Sequence, residues 1–238
     1  MSASQLTLEL RWAPEFGREA WADALQPGLL VALEGWIDAA GPGAMALIGP
    51  AAHGKSHLLQ IAAERAQSAG RSVDWLSPPI AGVGPELLDQ RQAALLCIDA
   101  LEAFPTGSEW DAAWFHLLNR QHDRRAQVLI AARHWPPICG LPDLRSRWAL
   151  AARWPLRPLE DIDFPAVIEA KARGLGLRLA PSVLALLAAE GPRDPARLVE
   201  LLRRLDRESL AAGRKPGPRI LRALLRRLHS AHAPVDPA

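Results

Sequence analysis

Eight consecutive residues in the first quarter of the chain have the types and spacing needed to hold a phosphate group. They fit the pattern G-x-x-x-x-G-K-[S/T]. Together with the histidine that follows, the set is Gly49, Pro50, Ala51, Ala52, His53, Gly54, Lys55, Ser56 and His57. In such a loop the backbone amides and a helix N-terminus face an anion, the lysine reaches the β- and γ-phosphates, and the hydroxyl holds Mg²⁺. The pattern therefore predicts a site for ADP or ATP with Mg²⁺.

The residues on either side of this loop have the structure that a phosphate-binding loop needs. The apolar run at residues 44–48 predicts a buried strand, and the apolar positions after Lys55 predict a helix with an inner face. Lys55 is also one of only three lysines in a chain whose other cationic side chains are arginines. A glycine-rich turn with an incidental lysine is the alternative interpretation.

A second apolar run, residues 93–98, ends at an acidic residue, Asp99. A buried strand closed by a carboxylate, downstream of a phosphate-binding loop, is the Walker B pattern. Asp99 would help Ser56 hold Mg²⁺; a helix-capping role for Asp99 is the alternative. The next residue is Ala100, where many ATPases of this type have a second carboxylate that orients the attacking water, and Glu102 lies in a different register. We therefore expect weak or no intrinsic ATPase activity.

Further segments alternate between strand-like and helix-like patterns, which predicts an α/β fold with a parallel sheet flanked by helices. The other predicted strands are 73–76, 127–132 and 154–159, and the other predicted helices are 29–39, 110–120 and 141–148. From Asp161 the pattern changes to helices with leucine and alanine on one side and arginine on the other, at 161–173, 181–189, 195–211 and 218–228. This change predicts a small all-α lid, and we expect Gly174 to end its first helix.

These patterns predict four parts of the chain. They are an N-terminal segment at 1–13, an α/β nucleotide-binding domain at 14–159, a helical lid at 160–229 and a disordered tail at 230–238. The net charge is only +2, so the chain as a whole is not an obvious polyanion binder. No signal peptide or membrane span is evident, which predicts a cytoplasmic protein without a membrane partner.

The N-terminal segment has alternating polar and apolar residues, including Gln5, so that Leu6, Leu8 and Leu10 share one side of an extended chain. It is interpreted either as an edge strand or as a short motif that docks into a partner's groove. Phe16 and Trp21 lie where an adenine pocket could form, although core packing is the commoner role of each.

Several segments resemble the DnaA-like branch of AAA+ proteins. They are CIDALEAF at 97–104, WFHLLNR at 114–120, GLPDLRSR at 140–147 and LRRLDRES at 202–209. The N-terminal QLTLEL is similar to the sliding-clamp peptide of the Hda family of DnaA regulators. The resemblance implies a P-loop AAA+ domain with a lid. It also implies that Gln5, Leu6, Leu8 and Leu10 dock on the DNA polymerase sliding clamp, with DNA reached through the clamp. Arg147 would be an arginine finger that stimulates hydrolysis of ATP bound to DnaA, and so restrains re-initiation of replication.

The sequence departs from that family pattern at three positions. Ala100 replaces the second Walker B acid. The end of the 127–132 strand lacks the usual polar γ-phosphate sensor, for which Arg133 or His134 could substitute. In the lid, the leucines align Ala196 with the sensor arginine, and we take the neighbouring Arg197 as the nucleotide-contacting candidate, with Arg193 as the other.

These departures leave two alternative functions open. One is a DnaA-related, nucleotide-binding adaptor of DnaA or DNA that does not stimulate hydrolysis. The other is an autonomous ATPase, which Ala100 argues against. The arginines of the lid helices could contact phosphates or could simply be solvated, and assembly into a homo-oligomer is a further open point.

Overall fold

The computed structural model describes residues 17–79, 81–89 and 91–230, without the side chains of residues 229 and 230. The predicted N-terminal segment at 1–13 lies outside the described residues, as does the predicted tail from residue 231 onward. Within the described ranges, no helix combines the length and the apolar character needed to cross a membrane.

Five parallel strands form one sheet, and eight α-helices accompany it in the described part of the chain. The strands are β1 Gly43–Ile48, β2 Val73–Leu76, β3 Leu95–Ile98, β4 Gln127–Ala132 and β5 Ala152–Pro155, in the spatial order β2-β3-β4-β1-β5. The helices are α1 Leu29–Ala39, α2 Lys55–Ser68, α3 Ser108–Asp123, α4 Pro142–Ala149, α5 Phe164–Gly174, α6 Pro181–Glu190, α7 Pro195–Ala211 and α8 Pro218–Ser230. The predicted α/β sheet followed by a helical lid is confirmed.

Helices pack on both faces of the sheet, because its strands are apolar on both sides. Along β1, Met45 and Leu47 belong to the core beneath α1 and α2, whereas Ala46 belongs to the core beneath α3 and α4. This alternation is the two-residue period of a strand. Because the strands are parallel, the carboxyl ends of β1 and β3 lie at one edge of the sheet, where the phosphate-binding loop and Asp99 follow them.

The lid has a core of its own, built from α5 to α8. Its fully buried residues include Ile168, Val183 and Leu202. Ala22 and Leu25, from two short 3₁₀ turns before α1, pack into the same core. The residues just before the sheet domain therefore bridge to the lid, although the sequence-based division placed them with the sheet.

The last strand differs from the sequence-based prediction, which placed it at residues 154–159. It pairs with β1 from Ala152 to Pro155, and the Leu156 N–H still donates to the Ile48 carbonyl at 2.7 Å. The ladder stops there because β1 itself ends at Ile48. Gly174 was expected to end the first lid helix, and α5 does end at Gly174. The glycine that adopts the left-handed conformation after the helix is Gly176, at φ +72°.

An ion pair holds the segment between β5 and α5. The Arg157 guanidinium donates to both carboxylate oxygens of Asp163, from Nη1 at 2.6 Å and from Nη2 at 2.7 Å. The backbone N–H of Glu160 donates to the same carboxylate at 3.0 Å. These bonds favour the ionised form and lower the pKa of Asp163 to about 2, with the Arg157 hydrogen bond as the main cause.

We predict that Asp163→Asn lowers the midpoint of thermal unfolding by about 1–3 °C at pH 7. Because the folded pKa is depressed below the unfolded value of about 3.9, the stabilisation is fully present above that value and is lost as pH falls towards about 2. The difference between the two proteins in circular dichroism melts should therefore narrow below about pH 4. Asp161→Asn, at a side chain that is 90% exposed, is the matched control and should change little. A difference that stays constant down to pH 3 would contradict this assignment.

Candidate functional site

The predicted phosphate-binding loop joins β1 to α2, and its lysine is buried within it. Gly54, at φ +82°, directly precedes α2, which begins at Lys55. The Lys55 Nζ donates to the carbonyl oxygens of Gly49 at 2.7 Å and Pro50 at 2.5 Å. The pKa of Lys55 is lowered from its ordinary value, mainly by burial of the ammonium. The nearby carboxylates of Glu102 and Asp99 offset only part of this effect. The Lys55 ammonium uses two of its three N–H donors on these carbonyls. The third could donate to an anion bound on the loop.

The predicted metal-binding pair is assembled beside this loop. Ser56 Oγ donates to Asp99 Oδ1 at 3.0 Å, and the Asp99 backbone N–H donates to the carbonyl of Leu76 at 2.9 Å. A hydroxyl and a carboxylate are oxygen ligands of the kind that Mg²⁺ uses, and Mg²⁺ sites commonly have only one or two protein ligands besides substrate phosphates. The hydroxyl and carboxylate present therefore fit a magnesium ion that also binds phosphate. The described ranges contain no cluster of three or more acidic, histidine or cysteine side chains suited to a metal.

The position after Asp99 carries no acid, and the nearest alternative carboxylate is engaged elsewhere. Ala100 lies in the left-handed region at φ +49°. The Glu102 carboxylate accepts the backbone N–H of Arg133 at 3.0 Å and pairs with Arg133 Nε at 3.1 Å. Arg133, one candidate for the missing sensor, thus holds Glu102. His134, the other candidate, lines a separate cavity between α3 and α4.

A cavity of about 250 Å³ lies between the phosphate-binding loop, the turns before α1 and the lid. The loop contributes residues 52–56, the turns contribute Trp21 and Leu25, and the lid contributes Val167 and Lys171. Its polar end is the loop, and its other walls are largely apolar. A cavity with a cationic, amide-lined end and an apolar remainder fits a nucleotide, with phosphates at the loop and the base against the apolar walls.

A hydrogen-bonded chain links α2 to the lid at this cavity. His57 Nδ1 lies 3.1 Å from Lys171 Nζ, and His57 Nε2 lies 3.0 Å from the carbonyl oxygen of Gly17. An ammonium can only donate, so Nδ1 accepts from Lys171 and Nε2–H donates to Gly17. Trp21 packs edge-on against the His57 ring at 5.5 Å between centroids. Sequence analysis missed Lys171, although its being one of three lysines was an available signal.

The lid arginines lie away from the cavity lining. Arg197 is exposed, and its backbone N–H donates to the capping carboxylate of Asp194 at 2.9 Å. Arg193 stacks on Phe164, 4.2 Å from the ring centroid, and pairs with Asp161. Ala196, the residue aligned on the leucines, lines the cavity instead. Among the lining residues that the structure describes, Lys171 is the lid's cationic side chain.

Arg147 lies in the last turn of α4. Leu144 and Trp148 of the same helix are buried in the core beneath α3 and α4, so the helix is fixed to the sheet domain. The Arg147 side chain is partly exposed, and no ion pair or side-chain hydrogen bond of its guanidinium is present within residues 17–79, 81–89 and 91–230. It is absent from the cavity lining. Among the described residues, no side chain therefore holds its guanidinium in place.

The lid and the fold have known counterparts. Residues 161–216 match the family model described as "Hda, lid domain". Domain III of the replication initiation protein DnaA from Thermotoga maritima aligns with a TM-score of 0.67 and 18% identity, over 90% of this chain and 97% of that one. AMPPCP-bound DnaA from Aquifex aeolicus aligns at 0.63 and 16%, over 86% and 67%. The Thermotoga maritima RuvB branch migration motor aligns at 0.62 and 17%, over 87% and 70%. At these identities the structural matches establish the AAA+ fold.

Gly54 provides a test of the loop's packing. A Cβ at this position would lie 2.8 Å from Trp21 Cζ3, and the positive φ adds its own penalty. We predict that Gly54→Ala destabilises the protein by about 1–3 kcal/mol more than Gly70→Ala. Gly70 is the matched control, because it has a similar φ of +73° with no atom near an added Cβ. The measurement is urea unfolding. In a Trp21→Leu background the extra cost should disappear, and equal costs in the native background would rule out the Trp21 contact.

Proposed function

We propose that this chain, which has an AAA+ fold and a lid that matches the Hda lid model, is a DnaA-related regulator of replication initiation. In this proposal it binds ADP or ATP with Mg²⁺, docks on the DNA sliding clamp through Gln5, Leu6, Leu8 and Leu10, and stimulates hydrolysis of DnaA-bound ATP through Arg147. The observation that carries the proposal is a complete phosphate-and-magnesium constellation, Lys55 with the Ser56–Asp99 pair, under an Hda-type lid.

The binding step follows from the residues that line the cavity. The loop amides and Lys55 would hold the phosphates, and Ser56 and Asp99 would hold Mg²⁺, which neutralises phosphate charge when it is bound. Trp21, Leu25 and Val167 offer apolar surface to the base. The AMPPCP-bound DnaA from Aquifex aeolicus supports this assignment by likeness of fold.

The same site argues for a regulator with little turnover of its own. Position 100 has no carboxylate, and Glu102 is held by Arg133. The site can therefore bind a nucleotide. Neither position 100 nor Glu102 offers a free carboxylate to orient an attacking water. Stimulated hydrolysis would then take place on the ATP of a partner.

Arg147 is suited to act on such a partner. A guanidinium on a helix fixed to the core, partly exposed and outside its own cavity, can stabilise charge that develops on a neighbour's triphosphate. Fingers of this kind contribute about 10³–10⁵ to the rate in GTPases.

The second candidate is an adaptor that binds nucleotide and DnaA or DNA without stimulating hydrolysis. The placement of Arg193 and Arg197 outside the cavity lining favours it, because the lid then supplies no arginine to sense a triphosphate. The Arg147 experiment below distinguishes the two candidates.

We predict that Lys55→Ala weakens binding of ADP or ATP by about 10- to 100-fold, because it removes the cation beside the phosphates. Isothermal titration calorimetry with Mg²⁺ measures this effect. Lys215→Ala is the matched control, since it removes an exposed lysine from the loop before α8. Failure of the native protein to take up adenine nucleotide at any Mg²⁺ concentration would refute the proposed site.

We predict that Arg147→Ala returns DnaA-bound ATP hydrolysis to its unstimulated rate when the protein is assayed with sliding clamp loaded on DNA. The physical reason is the loss of the guanidinium that offsets developing phosphate charge. Hydrolysis of radiolabelled ATP prebound to DnaA is the measurement, and nucleotide affinity of the variant should be unchanged.

The control for this prediction lies on the same helix. Arg145→Ala removes an exposed arginine whose only side-chain contact in the described ranges is a 3.5 Å bond to the Cys139 carbonyl, and it should leave stimulation intact. Leu8→Ala with Leu10→Ala should lose stimulation together with clamp pull-down. Full stimulation by Arg147→Ala would remove the finger assignment, and no stimulation by the native protein would favour the adaptor.

A further inference from the structure

The last helical hairpin of the lid carries an unbalanced positive charge. Residues 209–230 contain no acidic side chain and six cationic ones. The whole chain has a net charge of only +2, so the rest of the protein is net acidic. We call the exposed side chains of Arg214, Lys215, Arg219, Arg222 and Arg226 the basic face.

Three arginines of the basic face are regularly spaced along α8. Arg219, Arg222 and Arg226 follow the spacing i, i+3, i+7, so they form one stripe about 60° wide and about 10 Å long. The opposite side of the helix is already used, because Leu221, Leu224 and Leu225 are buried in the lid core. This arrangement excludes the apolar side of α8 as a membrane-binding surface and leaves the arginine stripe facing outward.

The stripe is not neutralised from within the described part of the chain. Nearby arginines do have carboxylate partners, since Arg204 pairs with Glu200 and Arg227 pairs with Glu208 at 3.0 Å. In residues 17–79, 81–89 and 91–230, no ion pair involves Arg219, Arg222 or Arg226. Neighbouring like charges at i, i+3 and i, i+4 repel each other. A polyanion laid along the stripe would replace that repulsion with attraction.

We propose that the basic face binds the phosphate backbone of duplex DNA. About 10 Å of duplex carries roughly six phosphate charges, a density that matches a short arginine stripe. A guanidinium can donate two parallel N–H bonds to phosphate oxygens, whereas a lysine ammonium acts as a point charge. Arginines therefore suit contact with the phosphate backbone. The contact is independent of base sequence, because backbone phosphates carry no sequence information. It does not depend on the function proposed above, and it would give the protein direct contact with DNA besides any contact through the clamp.

The test is fluorescence anisotropy of a labelled 30-base-pair duplex titrated with the full chain, without clamp, over a series of NaCl concentrations. The combined variant R219Q/R222Q/R226Q should bind about tenfold or more weakly at 0.1 M salt. Its slope of log K against log salt should shrink by roughly 2–3, since each lost phosphate contact contributes about 0.9. The charge-conserving variant R219K/R222K/R226K should retain most of the affinity and slope.

A matched control removes the same charge from scattered exposed positions. R124Q/R153Q/R178Q lowers net charge equally without touching the stripe, and it should bind DNA with nearly native slope. Circular dichroism melts with an unchanged midpoint verify that each variant is folded. If the stripe and control variants bind duplex equally, the proposal is overturned, and an acidic protein becomes the better partner for this face. Binding confined to the separated single strand would overturn it as well.

Discussion

The site depends on one hydrogen bond, from Ser56 Oγ to Asp99 Oδ1. It joins the segment after β1 to the segment after β3, which the sheet places near each other without pairing them. In the order β2-β3-β4-β1-β5, strands β1 and β3 are separated by β4. The residues after each strand must therefore reach across the end of β4 to meet. The hydroxyl and the carboxylate are already held together, so a divalent cation that bound there would cost less conformational freedom.

The parts of the fold that were predictable from sequence are those fixed by local pattern. The observed bounds of β2, β4, α1 and α7 equal those predicted from the periodicity of apolar residues. The position of the loop at 49–56 follows from residue spacing alone. The end of β5 is different, because it is set by the partner strand. β1 ends at Ile48, so the chain after Leu156 has no strand on which to continue the ladder.

The parts that escaped prediction are contacts between residues distant in sequence. His57 and Lys171 are 114 positions apart, and their bond arises from the docking of the lid on α2. Local periodicity explains why each is helical but carries no information on which helix faces which. The same holds for the lid sensor. The alignment on leucines places Ala196 at the sensor position, and Ala196 lines the cavity, but local pattern did not indicate that Arg193 and Arg197 lie outside that lining.

The short turns before α1 couple three parts of the molecule. Ala22 and Leu25 belong to the lid core, the Gly17 carbonyl accepts from His57 at the start of α2, and Trp21 packs beside Gly54. Any rotation of the lid relative to the sheet must therefore drag this stretch along or break its contacts. The stretch therefore works as a mechanical tether between the lid and the phosphate-binding loop.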